Sequence, residues 1–192
     1  MTNLDYQKIG LSQGYVIRLG QPARQLVHRL LDEQQPKADQ DPWSDLPPST
    51  ELFVRRVFKV GRLKVASSFW ETLKDNYGFE LWSSELEYVV GCGKFLSLTS
   101  YSQEELLSTP WNQLFERDPI HIQQLLTAFQ RMMETQEPQF NVTPFHVVKE
   151  TQSVKKVSLM VAIRAIYPFY FEEMPNTPAG AVALTEFKPL SS

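Results

Sequence analysis

The chain carries one cysteine, Cys92, and three histidines, His28, His121 and His146, in 192 residues. A single thiol excludes an intramolecular disulfide framework and any cysteine-based zinc cluster, and it suits a reducing compartment. No apolar run reaches the roughly 18 residues that a spanning helix needs. Residues Met1 to Gln13 lack the basic-then-apolar order of a signal peptide, so the cytoplasm is the expected location. A basic excess is missing as well. The formal net charge is -3, which argues against a dedicated nucleic-acid binder. Gly91-Cys92-Gly93 opens no phosphate loop, and neither Gly-x-Ser-x-Gly nor His-Glu-x-x-His occurs.

What is present suffices for a packed core: 42% of residues are hydrophobic and 21% charged. Tyr15 to Leu19 read as a short strand closed by Gly20. Apolar residues at Ala23, Leu26, Val27, Leu30 and Leu31, behind Pro22, predict a helix from Pro22 to Glu33. Such a stripe either packs on its own domain or forms a dimer seam, and Leu26, Leu30 and Leu31 are the candidates for that seam. Four prolines between Gln34 and Thr50 deny helix and central strand and mark a linker. From Leu52 to Val65 the periodicity fits a strand or a helix face equally. Its five cations include Arg55 and Arg56, a candidate partner surface whose blander reading is a solvated face. Residues 1–65 are therefore expected to form an extension and residues 66–192 the main domain.

Within that domain, Ser68 and Glu71 have capping-box spacing and predict a helix from Ser68 to Asn76. Phe79 to Trp82 and Glu87 to Val90 read as a hairpin around Ser83-Ser84. Ser102 and Glu105 form a second capping box. Asp118-Pro119 supplies an N-cap and first helical residue, and Ile122, Leu125, Leu126, Phe129 and Met132 or Met133 recur at helical spacing to Thr135. Three strands are expected after it: Gln139 to Lys149, Val154 to Ala165 and Ala179 to Phe187. In the second of them Val157, Leu159, Val161 and Ile163 share one face.

From Gly78 to Phe187 this order of elements, with residues 91 to 106, resembles a PAS domain. Phe95, Leu98, Thr99, Tyr101, Ser102, Glu105 and Leu106 stand at positions matching the family signature, and Thr185-Glu186 partly matches its closing strand. Two positions depart: Cys92 replaces the usual Asn, and Ser100 the usual Gly before Tyr101. The resemblance implies an α+β fold with a five-stranded antiparallel sheet flanked by short helices and one long helix, here with an N-terminal helical extension. It implies a non-catalytic regulatory module that contacts a protein partner in trans, possible as a homodimer, and senses a small ligand. Phe95, Leu98, Trp111, Phe115, Phe129 and Met133 are its candidate pocket, and the blander reading makes them plain core.

The resemblance also offers His121 as a haem ligand, since some PAS proteins ligate haem from this helix; the blander reading is a first-turn residue. Flavin photochemistry would need a reactive cysteine downstream of Cys92, so neither haem nor flavin is favoured and no metal is expected. The segment Pro168 to Pro178, rich in Phe, Tyr and Glu and carrying Phe169 and Tyr170, reads as a long loop that either docks a partner or folds back over the core. A ligand-free adaptor is the nearest alternative. An enzyme on an α/β scaffold is the remaining class, though no converging set of reactive residues can be assembled.

Overall fold

The computed structural model describes residues 20–31, 49–91, 98–101, 105, 111–151, 153, 155–188 and 190. The expected strand at Tyr15 to Leu19 and the proline-rich linker lie outside them, as do Cys92, Phe95 and the Ser102 end of the second capping box. Five helices and eight strands stand among the described residues. The helices are α1 (Gln21–Leu30), α2 (Thr50–Val60), α3 (Ser68–Thr72), α4 (Trp111–Leu114) and α5 (Pro119–Thr135). The strands are β1 (Leu63–Val65), β2 (Tyr77–Ser83), β3 (Tyr88–Gly91), β4 (Phe115–Glu116), β5 (Gln139–Phe140), β6 (His146–Glu150), β7 (Ser158–Phe171) and β8 (Met174–Lys188).

All pairings are antiparallel, in the order β3-β2-β8-β7-β6-β4. One edge of β7 is shared in turn by β6 at 158–161, β5 at 165–166 and β1 at 169–171. The α+β class agrees with expectation, but the sheet has eight strands and not five. The three additional strands span two or three residues each, too short to leave a period-two pattern in sequence.

The ambiguous stretch from Leu52 to Val65 divides. Ser49 accepts a hydrogen bond from the Leu52 amide and caps α2, whose Phe53, Val54, Val57 and Phe58 face inward at helical spacing. Arg62 turns with φ 50°, and Leu63 to Val65 then join the sheet. Ser68 and Glu71 do not form the expected box; the cap of α3 is Ser67, without a side-chain bond.

The sheet is covered on both faces. On one, Phe79 and Leu81 of β2, Tyr167 and Phe169 of β7 and Leu184 of β8 pack against α1, α2 and Phe69 of α3. The extension thus supplies one wall of the core. Leu26 and Leu30 are each 1% exposed and Leu31 is buried beside them, which corrects the seam expected there: these side chains are already committed within the chain. The Gly20 amide donates to the Glu87 carboxylate at 2.9 Å, tying the start of α1 to the β2–β3 turn. At its other end, Arg29 lies over the Phe171 ring at 3.9 Å and pairs with Glu173.

The segment from Pro168 to Pro178 is also corrected. It is the closed end of a long β7–β8 hairpin that turns at Glu172 and Glu173, and Phe169 is fully buried. Tyr170 is half-buried and pairs with Lys64 of β1. A bulge between Ile163 and Ala165 changes the face on which the odd residues of β7 lie. Leu159, Val161 and Ile163 therefore face the long helix, whereas Tyr167 and Phe169 face the N-terminal helices. Gly180 permits close strand approach: a Cβ there would stand 2.1 Å from the Trp82 carbonyl oxygen.

Candidate functional site

The second face of the sheet is covered by α5. Asp118 caps this helix by accepting from the Ile120 amide at 3.0 Å, and Pro119 begins it, as the sequence indicates. Phe129 and Met132 pack on Ile163, Ile166 and Ala181. Toward the N-terminal end of α5 the layers separate over a cavity of about 60 Å³. Its floor is Val161 and Ile163 of β7 with Ala181, Ala183 and Thr185 of β8; Leu125 and Phe129 form its roof. Leu114 and Phe115 close one side, and Trp82, Leu86 and Tyr88 the other.

Two charged residues stand in this apolar lining, Glu80 of β2 and Arg117 from the β4–α5 connection. The Trp82 indole donates to the Glu80 carboxylate at 3.1 Å. Burial pushes the Glu80 carboxyl above its ordinary range, opposed by the charge of Arg117 and the indole hydrogen bond. Burial likewise pulls the Arg117 guanidinium down, against the attraction of Glu80. The Arg117 Nε is buried without a hydrogen-bond partner, and its interaction with Glu80 is electrostatic, without a direct ion pair. Arg117 also lines an outer groove with Glu116, Asp118, Pro119, Val147 and Lys149, so its side chain stands between cavity and surface.

A second polar cluster fixes the segment carrying Thr99 and Tyr101. The Glu150 carboxylate, 1% exposed at the end of β6, accepts from the Thr99 hydroxyl (2.5 Å), the Ser100 amide (2.6 Å) and the Ser100 hydroxyl. It also accepts from the Ser153 hydroxyl (2.5 Å) and the Val157 amide (3.0 Å). Burial alone would raise its pKa. The hydrogen bonds from Ser100, Ser153 and Thr99 outweigh that and lower it to about 2. The buried Tyr101 hydroxyl donates to the Leu114 carbonyl at 2.6 Å and accepts from the Thr151 amide at 3.0 Å. Ser100, where the family resemblance has Gly, thus contributes two of the donors that hold this segment to the β6–β7 turn.

Of the residues expected to line a pocket, Phe115 and Phe129 do so. Leu98 is 41% exposed and Met133 packs on the Phe129 cluster outside the described cavity lining, so both are corrected. For Trp111 the backbone lies in α4, and Phe95 falls outside the described residues. His121 is also absent from the described lining. Its ring stacks on His146 at 4.1 Å, and its Nδ1 lies 2.9 Å from Gln124 Oε1. Arg55 pairs with Glu51 and lies 4.4 Å over the Trp70 ring; Arg56 is half-buried on the same helix.

Glu80 and Arg117 escaped the sequence reading. Strand alternation puts Glu80 and Trp82 opposite Phe79 and Leu81, which looks like a solvent face until a helix covers it. The available signal for Arg117 was a cation directly before the N-cap Asp118, where the helix dipole disfavours positive charge.

No family model matches the chain, and no curated protein matches it. Among solved structures, the chain is similar to the PAS domain of a protein from Colwellia psychrerythraea. That match has 13% identity and a TM-score of 0.42, and covers 58% of this chain and 86% of the other.

Proposed function

We propose that this protein is a regulatory module that binds a small ligand between the sheet and α5 and signals in trans through a protein partner. The observation that carries the reading is the apolar cavity with two charged residues, Glu80 and Arg117, at its wall. Concave apolar sites with few, placed polar groups are the usual form of small-molecule sites. The PAS-like residues from Thr99 to Tyr101 support the same reading, because Glu150 and Leu114 hold them beside the cavity wall. Occupancy would act on α5, whose Leu125 and Phe129 roof the cavity while Ile120 and Leu126 remain exposed for a partner. The module acts in the cytoplasm.

Hydrogen exchange tests this. Adding the deproteinised small-molecule fraction of the source cells should slow exchange of the α5 amides around Leu125 and Phe129. A native mass spectrum of the freshly purified protein should show a mass excess lost on denaturation. Unchanged exchange together with the bare polypeptide mass refutes ligand sensing. The modest cavity volume favours the ligand-free adaptor as second reading, which that pair of results would leave standing.

A further inference from the structure

Taking a guanidinium out of water costs several kcal/mol unless a counter-charge and hydrogen bonds replace its hydration. Arg117 has neither in full. Its Nε is buried and unbonded, and Glu80 attracts it without touching it. The remaining described lining is overwhelmingly apolar, with Thr185 and the aromatic polar groups of Trp82 and Tyr88 as exceptions. A half-buried cation with one buried, unbonded N–H at the wall of an apolar cavity is complementary to an oxyanion with an apolar body, because the anion supplies a counter-charge and an acceptor.

Size narrows the class. A cavity of about 60 Å³ exceeds the space of a single water, which needs about 10–15 Å³ on this measure. It is well below the roughly 150 Å³ of an engineered cavity that binds benzene, so an aromatic ring does not fit without expansion. We propose that the cavity binds a short-chain monocarboxylate such as propionate, its carboxylate on the Arg117 guanidinium and its alkyl group against Ile163, Ala183 and Phe129. This rests on the ligand-binding reading above and names the ligand class.

Glu80 is the group that opposes an anion here. The Trp82 indole already engages its carboxylate at 3.1 Å, and burial disfavours its charge. Because Arg117 borders both cavity and outer groove, its displacement would open the path by which the ligand enters.

The full chain labelled with nitrogen-15 is titrated with sodium propionate and, separately, with propanamide at matched sodium chloride. The cross-peaks followed are Arg117 Nε–H and the Trp82 indole N–H. Propionate should shift both saturably with Kd below about 1 mM, and propanamide should bind at least about tenfold more weakly. The Arg117→Met variant should lose the preference for propionate. Should that variant not fold, Ala183→Leu, which fills the floor of the cavity, should weaken propionate by a similar factor. Equal binding of propanamide overturns the carboxylate class and leaves the ligand-binding reading standing. If neither probe shifts the two peaks while the cell fraction still slows α5 exchange, the carboxylate class fails alone. If both experiments are blank, both readings fail.

Discussion

Replacing Glu150 by Gln removes one charge and turns an acceptor oxygen into a donor at a site where five donors converge, from Thr99, Ser100 (two), Ser153 and Val157. The wild-type carboxyl falls from 4.5 to about 2 on folding. At about 1.4 kcal/mol per unit, a depression of that size corresponds to a contribution on the order of 3 kcal/mol. Because the folded pKa is depressed, that stability is fully present above pH 4.5 and is lost as pH falls toward 2. The Gln variant has no such titration. Urea denaturation at pH 7 should therefore show Glu150→Gln less stable by about 3 kcal/mol or more, since the amide also faces donors it cannot accept from. The midpoint of thermal unfolding should drop by very roughly 6–12 °C for a chain of this size. At pH 2 to 3 the difference should shrink by most of that amount. Other carboxylates titrate equally in both proteins, so the double difference isolates this site. A gap that stays constant from pH 7 to pH 2.5 would refute the assignment of the five hydrogen bonds to an ionised Glu150.

Leu30→Asp should unfold or severely destabilise the chain, by about 3–5 kcal/mol in denaturant, because it places a charge between α1 and the sheet; a folded variant with altered subunit number would restore the dimer seam. Gly180→Ala should cost at least about 1–3 kcal/mol in the same assay, because the new Cβ meets the Trp82 carbonyl and the Phe169 ring, and unchanged stability would contradict the close approach of β2 and β8. The ring of His146, measured by NMR titration, should ionise below 6.5. Burial favours its neutral form, opposed by the hydrogen bond to the Pro144 carbonyl, while Arg117 and His121 add repulsion. This group's contribution to stability is accordingly present above pH 6.5 and lost below it. An ordinary or raised value would mean that the ring is solvated.

The elements with a strong periodic signal were legible without coordinates. Asp118-Pro119 with the stripe from Ile122 to Met132 specified α5, and alternation in Val157, Leu159, Val161 and Ile163 placed those side chains on one face. The hairpin at Ser83 was legible for the same reason: local spacing is set by the 3.6 and 2.0 residue repeats of the backbone itself. Leu52 to Val65 resisted because a helix and a strand end to end leave mixed periodicity.

The sequence by itself determined the strongly periodic elements, α5 and the β2–β3 hairpin among them, and that their apolar faces must be covered. Only tertiary structure decided what covers them. The α1 stripe could serve a seam or a core, and contact with Phe171 and the β2–β3 hairpin settled it as core. Likewise Phe169 could sit in a loop or a strand, and pairing with Val65 and Gly180 made it strand. Glu80 and Arg117, far apart in the chain, line one cavity because the face of β2 that carries Glu80 is the face α5 covers. The physical reason is that burial and charge environment depend on contacts between residues distant along the chain, which no local repeat records.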